Sequence, residues 1–388
     1  MNPKEFETST SGKCMRSIGG YWAYLPNPLP PRIDFDKKLI RLLSDADRLL
    51  GELSGTGRLL PNPYLLIRPY VRREAVLSSR IEGTLASLSD LFYFEAGETE
   101  KPKTPDVREV QNYVRAMEFG MRRLKKLPIS IRLTCEIHKI LLKNVRGENK
   151  TPGELRRTQN WIGPPGCLLD DATFVPPPVE EMKQALSDWE KYLHSNPDDP
   201  PLIQCAMMHY QFETIHPFLD GNGRVGRLLI TFFLYEKGYL TQPLLYLSAF
   251  FERFRDEYYS KLLAISQKGD WKGWIEFFLR GVATQAKDAI TDAKKILDLH
   301  AEYQKLLEST KRIPDTSYKL IDEVFFNPVV SISQLSHKWG IPFNSVKTGV
   351  NRLVKIGILR EATARRRNKI FIAPKLMGLL TSTDRENR

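Results

Sequence analysis

Cysteine is scarce in this chain of 388 residues. There are four, Cys14, Cys135, Cys167 and Cys205, with no Cys-x-x-Cys pair and no Cys/His cluster at zinc spacing. A disulfide framework and a structural zinc site are therefore excluded, and the cysteines read as reduced thiols of a cytoplasmic protein. Long apolar runs are missing too: no stretch reaches 18 apolar residues, about what a membrane helix needs. The N-terminus is polar and has no apolar core of a signal peptide, so neither secretion nor a membrane span is expected. Internal repeats and low-complexity tracts are absent as well.

What is present is ordinary for a soluble globular protein, with 41% hydrophobic and 27% charged residues, which argues against wholesale disorder. The length is too great for one core, and two or three domains are expected. A net charge of +12 favours anionic partners: nucleotides, nucleic acid or acidic protein faces.

Residues 1–30 are proline-rich towards Pro28-Leu29-Pro30-Pro31 and suggest an extended arm packed on the body. Apolar residues at helical spacing (Leu39, Leu42, Leu43, Leu49, Leu50) predict a first helix, followed by helices over about 68–81 and 85–94 and two more within 106–145. Between 146 and 178 the helical period vanishes among glycines and prolines. There Trp161-Ile162-Gly163 and Thr173-Phe174-Val175 resemble two strands of a hairpin. Helices resume over about 179–193, 202–215, 222–237, 252–267, 271–285 and 287–309. After a composition break at 311–315, the order helix, short helix, the turn Gly340-Ile341-Pro342, longer helix and an alternating segment ending at Ile372 matches a winged helix-turn-helix.

The informative stretch is His216-Pro217-Phe218-Leu219-Asp220-Gly221-Asn222-Gly223-Arg224-Val225-Gly226-Arg227, set between two apolar helices. It must be a loop entering a helix N-terminus, where backbone N–H groups and the helix dipole make an anion site. Gly221 and Gly223 leave room for a phosphate to approach. Asp220 offers a hard oxygen suited to Mg²⁺ beside phosphates. Arg224 and Arg227 share a helix face and can clamp phosphate oxygens. His216, just ahead of the cradle, has a pKa range suited to a general base. These are the parts that phosphoryl or nucleotidyl transfer requires.

The stretch resembles the Fic family signature His-Pro-Phe-x-Asp/Glu-Gly-Asn-Gly-Arg-x-x-Arg at every fixed position. The resemblance implies a mainly α fold, a Fic-type helical bundle with a β-hairpin flap, extended here by the C-terminal winged helix-turn-helix. It also implies protein adenylyltransferase activity with ATP and Mg²⁺. His216 would deprotonate the target hydroxyl, Asp220 would hold Mg²⁺, and the backbone of Gly221, Asn222 and Gly223 would form the anion hole. Arg224 and Arg227 would bind the β- and γ-phosphates, with Val225 and Gly226 part of the same nucleotide-binding stretch. Doc-like kinases of the family have lysine where Gly223 stands, so AMP transfer is expected over phosphate transfer. The target hydroxyl would belong to a Tyr, Ser or Thr of another protein or of the chain itself.

Ser78-Ser79-Arg80-Ile81-Glu82-Gly83 resembles the family's inhibitory motif, Ser/Thr-x-x-x-Glu-Gly/Asn. Ser78, Glu82 and Gly83 would then form a built-in brake, with Glu82 pairing Arg227. Glu82 would also support AMP removal as a secondary activity. The flap would be residues 159–175, with Phe174 and Val175 touching the nucleotide, and Tyr258 is a candidate for the adenosine pocket. His138, His194, His209, His300 and His337 are assigned no chemistry. The segments expected are 1–105 with the inhibitory helix, 106–286 as catalytic core, 287–312 as linker helix and 313–388 as the winged module. Asn344, Ser345, Lys347, Thr348 and Asn351, with Arg365-Arg366-Arg367 in the wing, offer DNA contacts. The rival reading is a DNA-binding regulator that senses nucleotide. A homodimer is plausible for the family, and no membrane partner is expected.

Overall fold

The computed structural model describes residues 1–59, 62–97, 104–195, 197–310, 315–363 and 369–385. Fifteen α-helices and two small antiparallel sheets occur among them. The chain divides into two compact units, Met1–Ser54 with Asn112–Ala286, and Gly55–Gln111 with Lys287–Arg388.

The first unit opens with a short 3-10 helix, Pro3–Phe6, and a hairpin of β1 (Gly12–Arg16) and β2 (Trp22–Pro26). The expected extended arm is thus folded back on itself. Tyr24 explains the difference: its buried ring packs against Phe6 and Phe174, giving the arm an apolar face to close on. Helix α1 (Lys37–Leu59) follows, its start held by the Asp36 carboxylate, which accepts from the Leu39 amide at 2.8 Å. Then come α4 (Pro105–Arg123), α5 (Ile131–Leu141), α6 (Val179–His194), α7 (Pro201–Ile215) and α8 (Asn222–Glu236). Helix α7 is buried almost all round and is the central helix of this core. The indoles of Trp189 and Trp274 donate to its carbonyls at Met208 and Ala206. Helices α9 (Ser248–Arg253) and α10 (Arg255–Lys268) follow, and α11 (Trp271–Glu308) begins in this unit and continues into residues of the second. The break expected between 285 and 287 is absent, and one helix of 38 residues runs through. No glycine or proline lies between 282 and 308 to stop it.

The second unit contains α2 (Tyr64–Ile81) and α3 (Leu88–Glu95), the latter started by a Ser87/Asp90 capping box. With them fold α12 (Asp315–Phe326), β3 (Val329–Ser331), α13 (Ile332–Trp339), α14 (Phe343–Lys355), β4 (Arg360–Glu361), β5 (Ile370–Ile372) and α15 (Pro374–Arg385). The strands form one antiparallel sheet in the order β3-β5-β4, with Ile372 facing Val329 on one side and Arg360 on the other. Helix α2 packs on α12, where the Arg68 guanidinium lies 4.6 Å from the Phe326 ring centre, and Arg72 meets Glu95 at 2.6 Å. A cavity of about 560 Å³ opens among α2, α3, α12 and α13. The break at 311–314 and Arg365-Arg366-Arg367 lie outside the described residues.

Candidate active site

His216 is the residue that ends α7. Its backbone is left-handed, φ 50° and ψ 59°, unusual for a residue with a side chain and more so ahead of proline. Its amide donates to the Phe212 carbonyl at 3.0 Å. Its carbonyl accepts from Arg156 Nε at 3.0 Å and Asn160 Nδ2 at 3.1 Å. On the imidazole, Nδ1 lies 3.1 Å from the Glu213 carbonyl. A carbonyl only accepts, so Nδ1 carries a proton in this contact.

The loop after it is closed by its own side chains. Asn222 accepts from the Phe218 amide at 2.9 Å and donates to the Phe218 carbonyl at 2.8 Å. The Phe218 ring stacks on His138, centroids 3.8 Å apart and planes 8° from parallel. The Gly153 amide donates to His138 Nδ1 at 2.8 Å, which leaves Nε2–H to donate to the Asp220 carbonyl at 2.9 Å. Burial pulls the His138 pKa down to about 4, so the ring is neutral and this donor–acceptor pattern is fixed. His138 thus positions the loop without reacting. His209 does the same for α8: its Nδ1 is 3.1 Å from the Gly226 carbonyl and its Nε2 2.9 Å from the Tyr258 hydroxyl. Burial, then the charge of Arg227, lowers its pKa to about 3.

Helix α8 starts at Gly221, whose φ of 81° calls for glycine and which has no side chain to cap the first-turn amides. Those amides and the positive end of a fifteen-residue helix make an anion site. Arg224 and Arg227 are 1% and 2% exposed, more buried than a surface clamp would be. Arg224 Nη2 reaches Asp220 Oδ1 at 3.3 Å, while the Asp220 side chain stays 35% exposed. Among the described residues no group of three or more His, Cys, Asp or Glu gathers as a metal cage. A lone, accessible carboxylate beside an anion site fits Mg²⁺, which is held by one or two carboxylates together with substrate phosphates.

Other expected residues fall differently. Tyr258 is fully buried, within hydrogen-bond distance of His209 and stacked on Phe251. Phe174 and Val175 are also packed inward, Phe174 against Phe6 and Tyr24, Val175 against Ala23 and Ala172. The two flap strands reduce to one bridge, Ile162 with Phe174, because the glycines and prolines around it interrupt the ladder. The Val175 carbonyl accepts from the Tyr24 amide of β2 instead, at 2.9 Å.

In the second unit, α2 ends at Ile81 and Glu82 is its C-cap. The Gly83 amide donates to the Arg80 carbonyl at 2.9 Å and the Thr84 amide to the Ser79 carbonyl at 3.1 Å, a Schellman closure that needs the φ of 88° at Gly83. Ser78 is buried and Glu82 half-buried. Asn344, Ser345, Lys347, Thr348 and Asn351 are all exposed on α14, whose other face buries Val346, Val350 and Leu353.

His138, Arg156, Asn160 and His209 position the site, and no chemistry was expected of them. Apart from the Tyr258 hydroxyl beside His209, their hydrogen-bond partners are backbone carbonyls and amides, and no residue spacing marks such pairs.

Residues 40–122 match the model of the Fic/DOC family N-terminal region, and residues 128–234 that of the Fic/DOC family. Protein adenylyltransferase Fic of Drosophila grimshawi is 29% identical over 173 residues, 43% of this chain and 32% of the relative. The protein of the same name from Drosophila melanogaster is 28% identical over the same length, again 43% and 32%. The chain thus spans about a third of the length of the curated relatives it matches. Among solved structures, a Fic family protein from Desulfovibrio desulfuricans G20 aligns with 89% of this chain and 98% of its own, TM-score 0.57 at 18% identity. Fic-1 from C. elegans aligns with 65% and 72%, TM-score 0.51 at 22% identity. These likenesses show the fold.

Proposed function

We propose, from the match of residues 40–122 and 128–234 to the Fic/DOC family models, that the chain is a protein adenylyltransferase moving AMP from ATP to a Tyr, Ser or Thr hydroxyl. The observation that carries this reading is the tautomer of His216: with Nδ1 turned to the Glu213 carbonyl, Nε2 serves as base beside the uncapped start of α8. The target hydroxyl gives its proton to Nε2. Its oxygen bonds to the α-phosphorus, the bond from that phosphorus to the bridging oxygen breaks, and pyrophosphate leaves. Amides at Gly221–Gly223 and the guanidinium groups of Arg224 and Arg227 hold the phosphates. Asp220 would hold Mg²⁺, which supplies charge neutralisation to the phosphates. Gly223 favours AMP transfer over phosphate transfer, since lysine stands there in the kinase branch of the family.

Glu82 is the brake in this reading, paired with Arg227, and the Schellman closure after it supports a fixed glutamate. Incubating wild type, Glu82→Gly and Glu82→Gly/His216→Ala proteins with ATP and Mg²⁺, read by intact mass, tests it. A gain of one AMP per site is expected chiefly in the single variant and absent in the double. A gain of phosphate alone, or AMP transfer that survives loss of His216, would refute it.

A second role for the module 315–385 is favoured by the polar exposed face of α14. Its element order and sheet suit a winged helix-turn-helix, and we read that face as a DNA contact surface.

A further inference from the structure

The left-handed backbone of His216, just ahead of Pro217, is uphill for a histidine and must be held by its surroundings. We propose that Arg156, assisted by Asn160, is the positioning residue that holds it, and that the base of the flap is thereby part of the clamp on the general base. The inference rests on the AMP-transfer reading only for its kinetic consequence.

Arg156 is 1% exposed, and its guanidinium donates only to main-chain carbonyls: His216 from Nε, Thr158 from Nη1 and Pro177 from Nη2. Its own amide donates to the Pro217 carbonyl at 2.9 Å. Among the described residues no carboxylate pairs with it. A buried cation without a counter-ion is costly, and a flexible apolar side chain would fill the same space without that cost. Burial lowers its pKa only to about 10, so it stays charged at neutral pH and its hydrogen bonds are the strong, charge-assisted kind. The position therefore needs donors aimed in fixed directions, which arginine's planar fork supplies.

The three acceptors come from three places. Thr158 lies where the chain enters the flap, Pro177 where it leaves, and His216 on the catalytic loop. Asn160 adds a second bridge, donating to the carbonyls of both His216 at 3.1 Å and Phe218 at 2.8 Å. With its carbonyl held from the flap side, the His216 backbone cannot relax to an extended form. Its imidazole thereby keeps Nδ1 on the Glu213 carbonyl. A change in the flap base would be felt as a change in where the base points.

The test uses the full chain carrying Glu82→Gly, with Arg156→Met, Arg156→Lys or Asn160→Ala added. Arg156→Met should lower kcat about 100-fold while KM for ATP moves by no more than about threefold, because orientation and not binding is lost. Arg156→Lys should recover part of kcat, and Asn160→Ala should lower it about tenfold. Independently of activity, ¹⁵N spectra of the histidine rings should replace the single Nδ1-protonated form of His216 with a tautomer mixture in Arg156→Met. Folded variants with wild-type kcat and an unchanged tautomer would overturn the proposal. Should Arg156→Met not fold, Asn160→Ala and Arg156→Lys decide it by the same two readouts. A parent that transfers no AMP, with the tautomer change still seen on adding Arg156→Met, refutes the AMP-transfer reading and upholds this one.

Discussion

At the scale of single residues, the candidate site divides into groups proposed to meet substrate and groups that hold them in place. The first kind was legible in the sequence. His216, Asp220, the glycines and the two arginines lie within twelve consecutive positions, and their chemistry follows from their side chains. The second kind was not, because His138, His209, Arg156 and Asn160 work on main-chain atoms brought near only by folding. Tyr258, named for the adenosine pocket by resemblance, lies buried with its hydroxyl 2.9 Å from His209 Nε2. That pair has a pH signature. The unfolded chain protonates His209 near pH 6.5, whereas the folded chain keeps it neutral down to about pH 3. Acid therefore favours unfolding throughout that window, and above it the contribution is constant. Between pH 6.5 and 5 this one group should remove about 2 kcal/mol of stability, with His138 acting in the same direction. Urea midpoints measured across that range should fall less steeply in His209→Gln; an equal slope would show that the ring protonates in the native state.

At the scale of elements, the helical period placed most helices to within a few residues, including α7 and α8 on either side of the motif. It split α11 in two near residue 286, whereas the sequence there holds no glycine or proline to break a helix. The hairpin of β1 and β2 was missed since its pairing rests on Tyr24 packing on residues far along the chain. The end of α2 is the most exact correspondence. The Glu-Gly pair reads as a motif in sequence and as a helix stop in structure, with Gly83 in the conformation that Schellman closure requires. Gly83→Ala should cost about 1 kcal/mol, since a Cβ is strained there. It should also loosen Glu82 and raise AMP transfer above wild type. Denaturant titration and the intact-mass assay check both, and unchanged values in both would remove any role for the closure.

At the scale of the whole molecule, the compact units do not follow the order of the chain: α2, early in the sequence, folds with the last hundred residues. Each unit has its own test. For the second, duplex DNA binding should weaken steeply with added salt and fall further in Lys347→Glu, as phosphate contacts require; titration by fluorescence anisotropy reads this, and salt-independent or absent binding would assign α14 to protein contacts. The shared unit also has a bearing on how such a protein can be cut and recombined. Helix α2 leans its buried face on α12, and Arg68 rests on Phe326. A gene that lost everything after residue 287 would keep the whole first unit and yet strip α2 of the helix it packs on. The C-terminal segment is therefore not a detachable cassette: exchanging it between relatives also changes what α2 packs against.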